Sequence, residues 1–177
     1  ARPLGPLMAG MDVGGFAAAL PYLRRQAAHA LDTRAMTGEW LTPEPELGCA
    51  SGCWLHRAAG ASPRPVVFEL HGGGFALGDA RKGDALRAWV RDTFDVNVVG
   101  IEYRLAPEHP FPAALNDVAG TVRRIVTGGE VEVAPTHAVL MGYSAGANLA
   151  VAYALLSQRD DSAPLVSGLA LHYPCLD

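Results

Sequence analysis

From Gly52 onward, short unbroken apolar runs alternate with amphipathic segments, and that alternation leaves few architectures open to the chain. Gly52–Arg57, Val66–Leu70, Val96–Tyr103, Ala138–Gly142 and Val166–Tyr173 read as strands. Asp79 is expected to cap a helix whose Leu86, Trp89, Val90 and Phe94 form one buried stripe. Pro112 is expected to open a second helix, with Leu115, Val118, Val122, Ile125 and Val126 turned inward and Gly128-Gly129 ending it. Ala145–Gln158 reads as a third. Strands without polar alternation are buried on both sides, so the expectation is an α/β fold: a mainly parallel sheet with helices on both faces and right-handed crossovers.

The first 48 residues are different, rich in Gly and Pro, and are expected to form a cap-like segment ahead of a catalytic-type domain over 49–177. Within them Pro21 suits a first helical turn, and Leu20, Leu23, Ala27 and Leu31 keep helical spacing. The 177-residue length fits one core. Half of the residues are hydrophobic and 18% are charged, which implies apolar surface meant to be covered. No segment approaches the roughly 20 apolar residues that span a bilayer, so no membrane span is expected. A net charge of −4 and a pI near 5.8 argue against nucleic acid or an anionic membrane as partner. The adjacent pairs Arg24-Arg25 and Arg123-Arg124 read as solvated helix faces. Cys49 and Cys53 lie about 13 Å apart if the stretch is extended, too far to bridge, and Cys175 is remote in sequence. With no disulfide framework and no signal peptide, the expected compartment is cytoplasmic.

Two glycine-rich stretches carry the chemistry. Gly142-Tyr143-Ser144-Ala145-Gly146 joins a buried strand to an Ala-rich helix. A sharp turn there exposes a serine hydroxyl and sets the Ala145 N–H at a positive helix terminus, the arrangement of a nucleophile elbow. Gly142 and Gly146 would be required because side chains would collide across the turn. His71-Gly72-Gly73-Gly74-Phe75 follows another buried strand, and its glycines can bring N–H groups to a developing negative charge. Gly73, Gly74 and Ala145 are therefore the candidate oxyanion donors, and Ser144 the candidate nucleophile. His71 reads as a loop support that bonds backbone rather than as a base.

These stretches, together with Tyr103-Arg104-Leu105-Ala106-Pro107-Glu108-His109-Pro110-Phe111-Pro112-Ala113-Ala114, Asp117, Asn148-Leu149-Ala150 and Tyr173-Pro174, resemble the bacterial hormone-sensitive-lipase-like esterases of the α/β-hydrolase fold. The resemblance runs in order over about residues 65–177. It implies hydrolysis of a small carboxylic ester without cofactor or metal. It also implies a scaffold role for Tyr103–Asp117, in which Arg104 pairs with Glu108 or Asp117 and, with His71 and Gly72, supports the loop. Tyr143 stands where the family most often has Asp, and Ala147 where it often has Gly. Phe75 and Tyr143 are the candidate pocket residues, Tyr143 narrowing the acyl site.

A serine nucleophile needs a base and a residue that orients the base. In the family both follow the serine, on loops after further strands. His172 reads as a satisfied sheet histidine and Asp177 as a strand-end structural acid. The chain is thus expected to be truncated after about the sixth strand of the fold. A second chain or a C-terminal segment would supply the remaining strands, Asp and His, or a homodimer would form through the exposed edge. A non-catalytic fragment with a binding role, and an acyltransferase on the same scaffold, remain the alternatives.

Overall fold

The computed structural model describes residues 13–29, 36–60, 63–161 and 163–176. Leu31 and Asp177 lie outside the described residues. The chain divides into two compact units, Ala1–Asp32 and Thr33–Asp177. The division falls before the 48/49 boundary read from the sequence, because Glu39–Leu41 already belongs to the sheet. The first unit contains helix α1, Val13–His29. It begins well ahead of Pro21, which sits inside the helix rather than in its first turn. The run Ala17-Ala18-Ala19-Leu20 before the proline has high helix propensity and extends the helix toward its N-terminus.

The second unit is built on one sheet: β1 (Glu39–Leu41), β2 (Cys53–His56), β3 (Arg64–Leu70), β4 (Asn97–Ile101), β5 (Val133–Tyr143) and β6 (Gly168–His172). The spatial order is β1-β2-β4-β3-β5-β6. The pairs β1/β2 and β2/β4 are antiparallel, and β3/β4, β3/β5 and β5/β6 are parallel. Three helices accompany it: α2 (Asp84–Phe94), α3 (Ala113–Thr127) and α4 (Ala145–Ser157). This is the mostly parallel α/β architecture expected from the alternation, with helices on both faces.

The two faces have separate cores. Phe68 and Leu70 of β3, Val99 and Ile101 of β4 and Leu140 of β5 pack with Val118, Val122 and Ile125 of α3 and Leu149, Ala150 and Tyr153 of α4. On the opposite face, Val98 and the partly buried Val67 and Met141 meet Val90 and Leu86 of α2. The period of two along each strand puts these neighbouring residues on opposite sides.

Two inward faces differ from expectation. On α2, Val90 is buried and Leu86 partly so, but Trp89 and Phe94 are 57% and 61% exposed. Trp89 lies about 100° around the helix from Val90, and it packs edge-on against Phe94 at the helix end. The buried place is taken by Arg87, which is fully covered. On α3, Arg124 is not on a solvated face: it is buried, paired with Glu44 and Glu130, and donates to Thr42 O. Asp79 does act as a cap, for a short 3₁₀ turn over Ala80–Gly83 that leads into α2. Cys49, Cys53 and Cys175 are all free thiols. Among the described residues no helix is long and apolar enough to cross a membrane.

Beyond β5 the sheet ends in β6, and among the described residues no strand pairs with the outer edge of β6. Leu169, Tyr173 and Leu176 are 41%, 70% and 56% exposed there. An apolar strand edge with open N–H and C=O groups is a template for another chain. The 177-residue chain on its own is therefore expected to self-associate with concentration, and Leu169→Lys to shift it toward monomer. Light scattering coupled to size exclusion reads this; an unchanged distribution in the variant would place the association elsewhere.

Candidate functional site

Strand β5 ends at Tyr143 and α4 begins at Ala145, leaving Ser144 alone at the bend with φ 50° and ψ −115°. A positive φ is strained for a residue with a side chain. The bend is held on both sides: Ser144 N donates to His172 O at 3.0 Å, and Asn148 N donates to Ser144 O at 3.1 Å. The flanking glycines are sterically required. A Cβ on Gly142 would lie 2.5 Å from Gly146 O, and one on Gly146 would lie 2.1 Å from Leu70 O. Ala145, Ala147 and Ala150 are buried, so the helix packs close against the sheet. The first N–H groups of α4, beginning with Ala145, have no partner inside the helix.

The glycine loop leaves the end of β3 directly beside this bend. A Cβ on Gly72 would sit 2.9 Å from Tyr143 O and 3.4 Å from Ser144 Cβ. Gly73, Gly74 and Phe75 take φ values of 134°, 60° and 59° in succession. Gly73 O then accepts from Leu77 N at 2.8 Å and Ala76 N at 3.2 Å, closing a tight turn. Phe75 O accepts from Ala106 N at 2.9 Å, which ties the loop to the Tyr103–Asp117 segment.

His71 is buried beneath the loop. Its ring stacks on Tyr103 with centroids 4.1 Å apart, and its Nδ1 donates to Gly72 O at 2.9 Å. Tyr103 Oη donates to His71 O at 2.7 Å. Burial lowers the His71 pKa, which favours the neutral ring. Of the two acids offered to Arg104, the structure pairs it with Asp117, which is wholly covered and accepts from Arg104 N, Nε and Nη2 at 2.8–3.0 Å. Glu108 is exposed.

A cavity of about 220 Å³ lies alongside, with Phe75, Leu115, Leu149 and Ala152 among its walls and Arg104, His109 and Asn148 as polar members. Asn148 is one helical turn beyond Ser144. Of the two pocket candidates read from the sequence, Phe75 lines this cavity and Tyr143 does not. The Tyr143 ring tilts against His172, 5.4 Å away, and its hydroxyl approaches Met141 Sδ on the α2 side of the sheet. The cause is strand alternation: Tyr143 shares a face with Met141. His172 is exposed on the edge strand rather than satisfied within the sheet.

Sequence reasoning missed a polar layer on the α2 side of the loop. Arg87 Nη1 donates to Glu69 Oε2 at 2.9 Å and to Ala80 O at 2.6 Å, and Arg87 Nε donates to His56 Nε2 at 3.2 Å. Asp84 stands 3.1 Å from His56 and accepts from Thr37 and Gly38. Glu102 accepts from Ala80 N at 2.8 Å, and burial pushes its pKa up to about 7. Burial likewise lowers His56 to about 4. The available signal was Glu69, the lone charge in the otherwise apolar run Val66–Leu70.

Comparison with known proteins gives a consistent neighbourhood. A family model described as alpha/beta hydrolase fold matches residues 67–177, more than half of the chain. An esterase of Acinetobacter venetianus is 36% identical over 120 residues, covering 67% of this chain and 38% of its own length. An acetyl-hydrolase of Streptomyces hygroscopicus is 35% identical over 131 residues, covering 74% and 42%. The crystal structure of an esterase from the bacterial hormone-sensitive lipase family superposes with a TM-score of 0.74 at 25% identity, covering 98% of this chain and 55% of that one. The chain thus spans less than half the length of these curated relatives.

Two outcomes follow from the geometry. Gly146→Ala drives a methyl into Leu70 O and His71 O, and is expected to cost about 2 kcal/mol or more in urea denaturation; a loss below about 0.5 kcal/mol would mean the bend tolerates a side chain. Glu102 has a folded pKa near 7, above its ordinary 4.5. The unfolded chain therefore ionises first, and stability falls as pH rises from about 4.5 to 7. Glu102→Gln is expected to flatten that fall by about 2–3 kcal/mol, measured by denaturation at pH 5 and pH 8. An unaltered slope would assign it to another group.

Proposed function

The chain belongs to the hormone-sensitive-lipase-like esterases of the α/β-hydrolase fold, and from that premise we propose that it carries the nucleophile half of a serine carboxylester hydrolase. Ser144 Oγ adds to the ester carbonyl carbon while its proton passes to a base. The carbonyl oxygen takes the negative charge, facing the N–H groups of Gly73, Gly74 and Ala145. Collapse of the tetrahedral species expels the alcohol, with the base returning the proton, and leaves an acyl group on Ser144. Water repeats the sequence and releases the acid.

The observation that carries this reading is the conjunction at the bend: a strained serine at φ 50°, with Gly72 abutting its Cβ. The strain presents the side chain away from the strand, and the consecutive left-handed residues leave the loop amides unobstructed by Cβ atoms at Gly73 and Gly74. The cavity walled by Phe75, Leu115 and Leu149 suits the apolar part of a small ester. Base and orienting acid are assigned to a C-terminal portion or a second chain that also covers the β6 edge; pairing of two copies through that edge is the alternative arrangement.

Ser144→Ala in the full-length protein is expected to reduce p-nitrophenyl ester turnover by about ten-thousand-fold or more, and to abolish labelling by a fluorophosphonate probe. Turnover that survives the substitution would remove the assignment. Labelling without turnover in the wild type would favour the non-hydrolytic alternatives, and acyl transfer to an added alcohol would favour the acyltransferase.

A further inference from the structure

Arg87 occupies a position that neither packing nor solvation explains. It is fully covered on the face of α2 that meets the sheet. Among the described residues its Nη2 has no hydrogen-bond partner, and it lies 3.9 Å from Asp84 Oδ1. A buried ion pair is often no more stabilising than apolar residues of the same volume, so stability alone is a weak reason for one. The surroundings are nonetheless shaped to the guanidinium. A Cβ on Gly100 would lie 2.5 Å from Arg87 Nη1, and one on Gly83 would lie 2.6 Å from it and 2.8 Å from Glu69 Oε2.

What the guanidinium holds is specific. Glu69 is the penultimate residue of β3, two before His71. Ala80 is the first residue of the 3₁₀ turn that closes the same loop. One nitrogen, Nη1, reaches both, at 2.9 Å and 2.6 Å. It therefore ties the outgoing stem of the glycine loop to the returning stem. The remaining atoms of the two stems are fixed from below: Ala80 N by Glu102, and His71 by Tyr103. Gly78 adds a close fit, since a Cβ there would stand 2.2 Å from His71 Nδ1.

We propose that Arg87 is a positioning residue: by clamping Glu69 to Ala80 it sets the spacing of the loop stems and so holds the Gly73 and Gly74 amides in register with Ser144. The proposal rests on the reading of Ser144 as nucleophile and of those amides as oxyanion donors. Arg87 touches neither substrate nor Ser144, and acts through the loop. Oxyanion donors contribute only when they are held at the place where charge develops, and misplacement by about 1 Å can cost about a hundredfold in rate. A slackened loop thus lowers turnover more than ground-state binding.

The test is steady-state kinetics of Arg87→Met in the full-length protein with p-nitrophenyl acetate, per folded molecule as judged by circular dichroism. The expected result is a kcat lower by about 10- to 100-fold with KM changed by less than about threefold, and a trifluoromethyl ketone inhibitor weakened by a similar factor. A kcat within twofold of wild type, or a loss carried by KM alone, overturns the proposal. If Arg87→Met does not fold, Gly83→Ala decides, because its methyl displaces Nη1 without removing the charge: a kcat-selective loss supports the clamp and unchanged kcat overturns it. A Ser144→Ala variant that keeps full turnover would sink the catalytic reading itself; an inactive Ser144→Ala beside an undiminished Arg87→Met would sink only the clamp.

Discussion

The site depends on a contact between backbones that leaves no room for a side chain. Where β5 turns into α4, the α-carbon of Gly146 faces Leu70 O and His71 O, and that of Gly142 faces Gly146 O and Ala147 N. Helix α4 can therefore lie directly on the end of β3, the strand from which the glycine loop departs. A methyl at either position would push α4 and β3 apart and carry the loop away from Ser144. The backbone strain at Ser144 is of order 1–3 kcal/mol. It persists because Leu149, Ala150 and Tyr153 anchor the helix in the larger core while β6 and the first helical turn bond the backbone of Ser144 on both sides.

The features read correctly from sequence share a local physical cause. The apolar runs of β3 and β5, the glycines at 142 and 146, and the helix stop at Gly128 each follow from rules acting over a few residues. The pairing of Arg104 with Asp117 was legible as one of two alternatives; choosing between them required knowing which acid α3 turns inward. The departures from expectation have physical causes too. Trp89 and Phe94 join the α2 stripe on size and apolarity alone, but beside the apolar patch that takes Val90 and Leu86 the surface beneath α2 is polar, occupied by Glu69 and His56. Arg87 goes in and the aromatics stay out. Hydrophobic patterning assumes an apolar partner surface, and here a charge on β3 reverses that. Tyr143, a pocket candidate through its adjacency to Ser144, turns toward Met141 and His172 and does not line the cavity beside Phe75.

That alternation also divides the labour around the loop. Phe68 and Leu70 feed the larger core on the α3 and α4 side, where the cavity opens and Phe75 forms part of its wall. Glu69, between them, delivers a carboxyl to the other side, where Arg87 Nη1 donates to it and to Ala80 O alike. One strand thus supplies both the apolar surface that suits an ester's hydrocarbon part and the polar anchor of the loop that follows. A substitution on β3 should be felt on one side or the other according to its parity.

Placing carboxyl groups under a loop proposed to hold an oxyanion raises an electrostatic difficulty, because like charges nearby would oppose the charge that develops. Asp79 and Asp84 there face Arg81 and Arg87, which leaves the carboxyls of Glu69 and Glu102. The first is neutralised by contact, since the Arg87 guanidinium is bonded to it directly at 2.9 Å. The second is neutralised by burial, which pushes its pKa up to about 7 and leaves a large share of it protonated near neutral pH. The same exclusion of water that strengthens a hydrogen bond from Ala80 to Glu102 thus also lessens the charge Glu102 carries beneath the loop. A layer of acids beneath the loop is compatible with anion stabilisation above it to the extent that each acid is paired with an arginine or protonated, and it gives the loop rigid attachment.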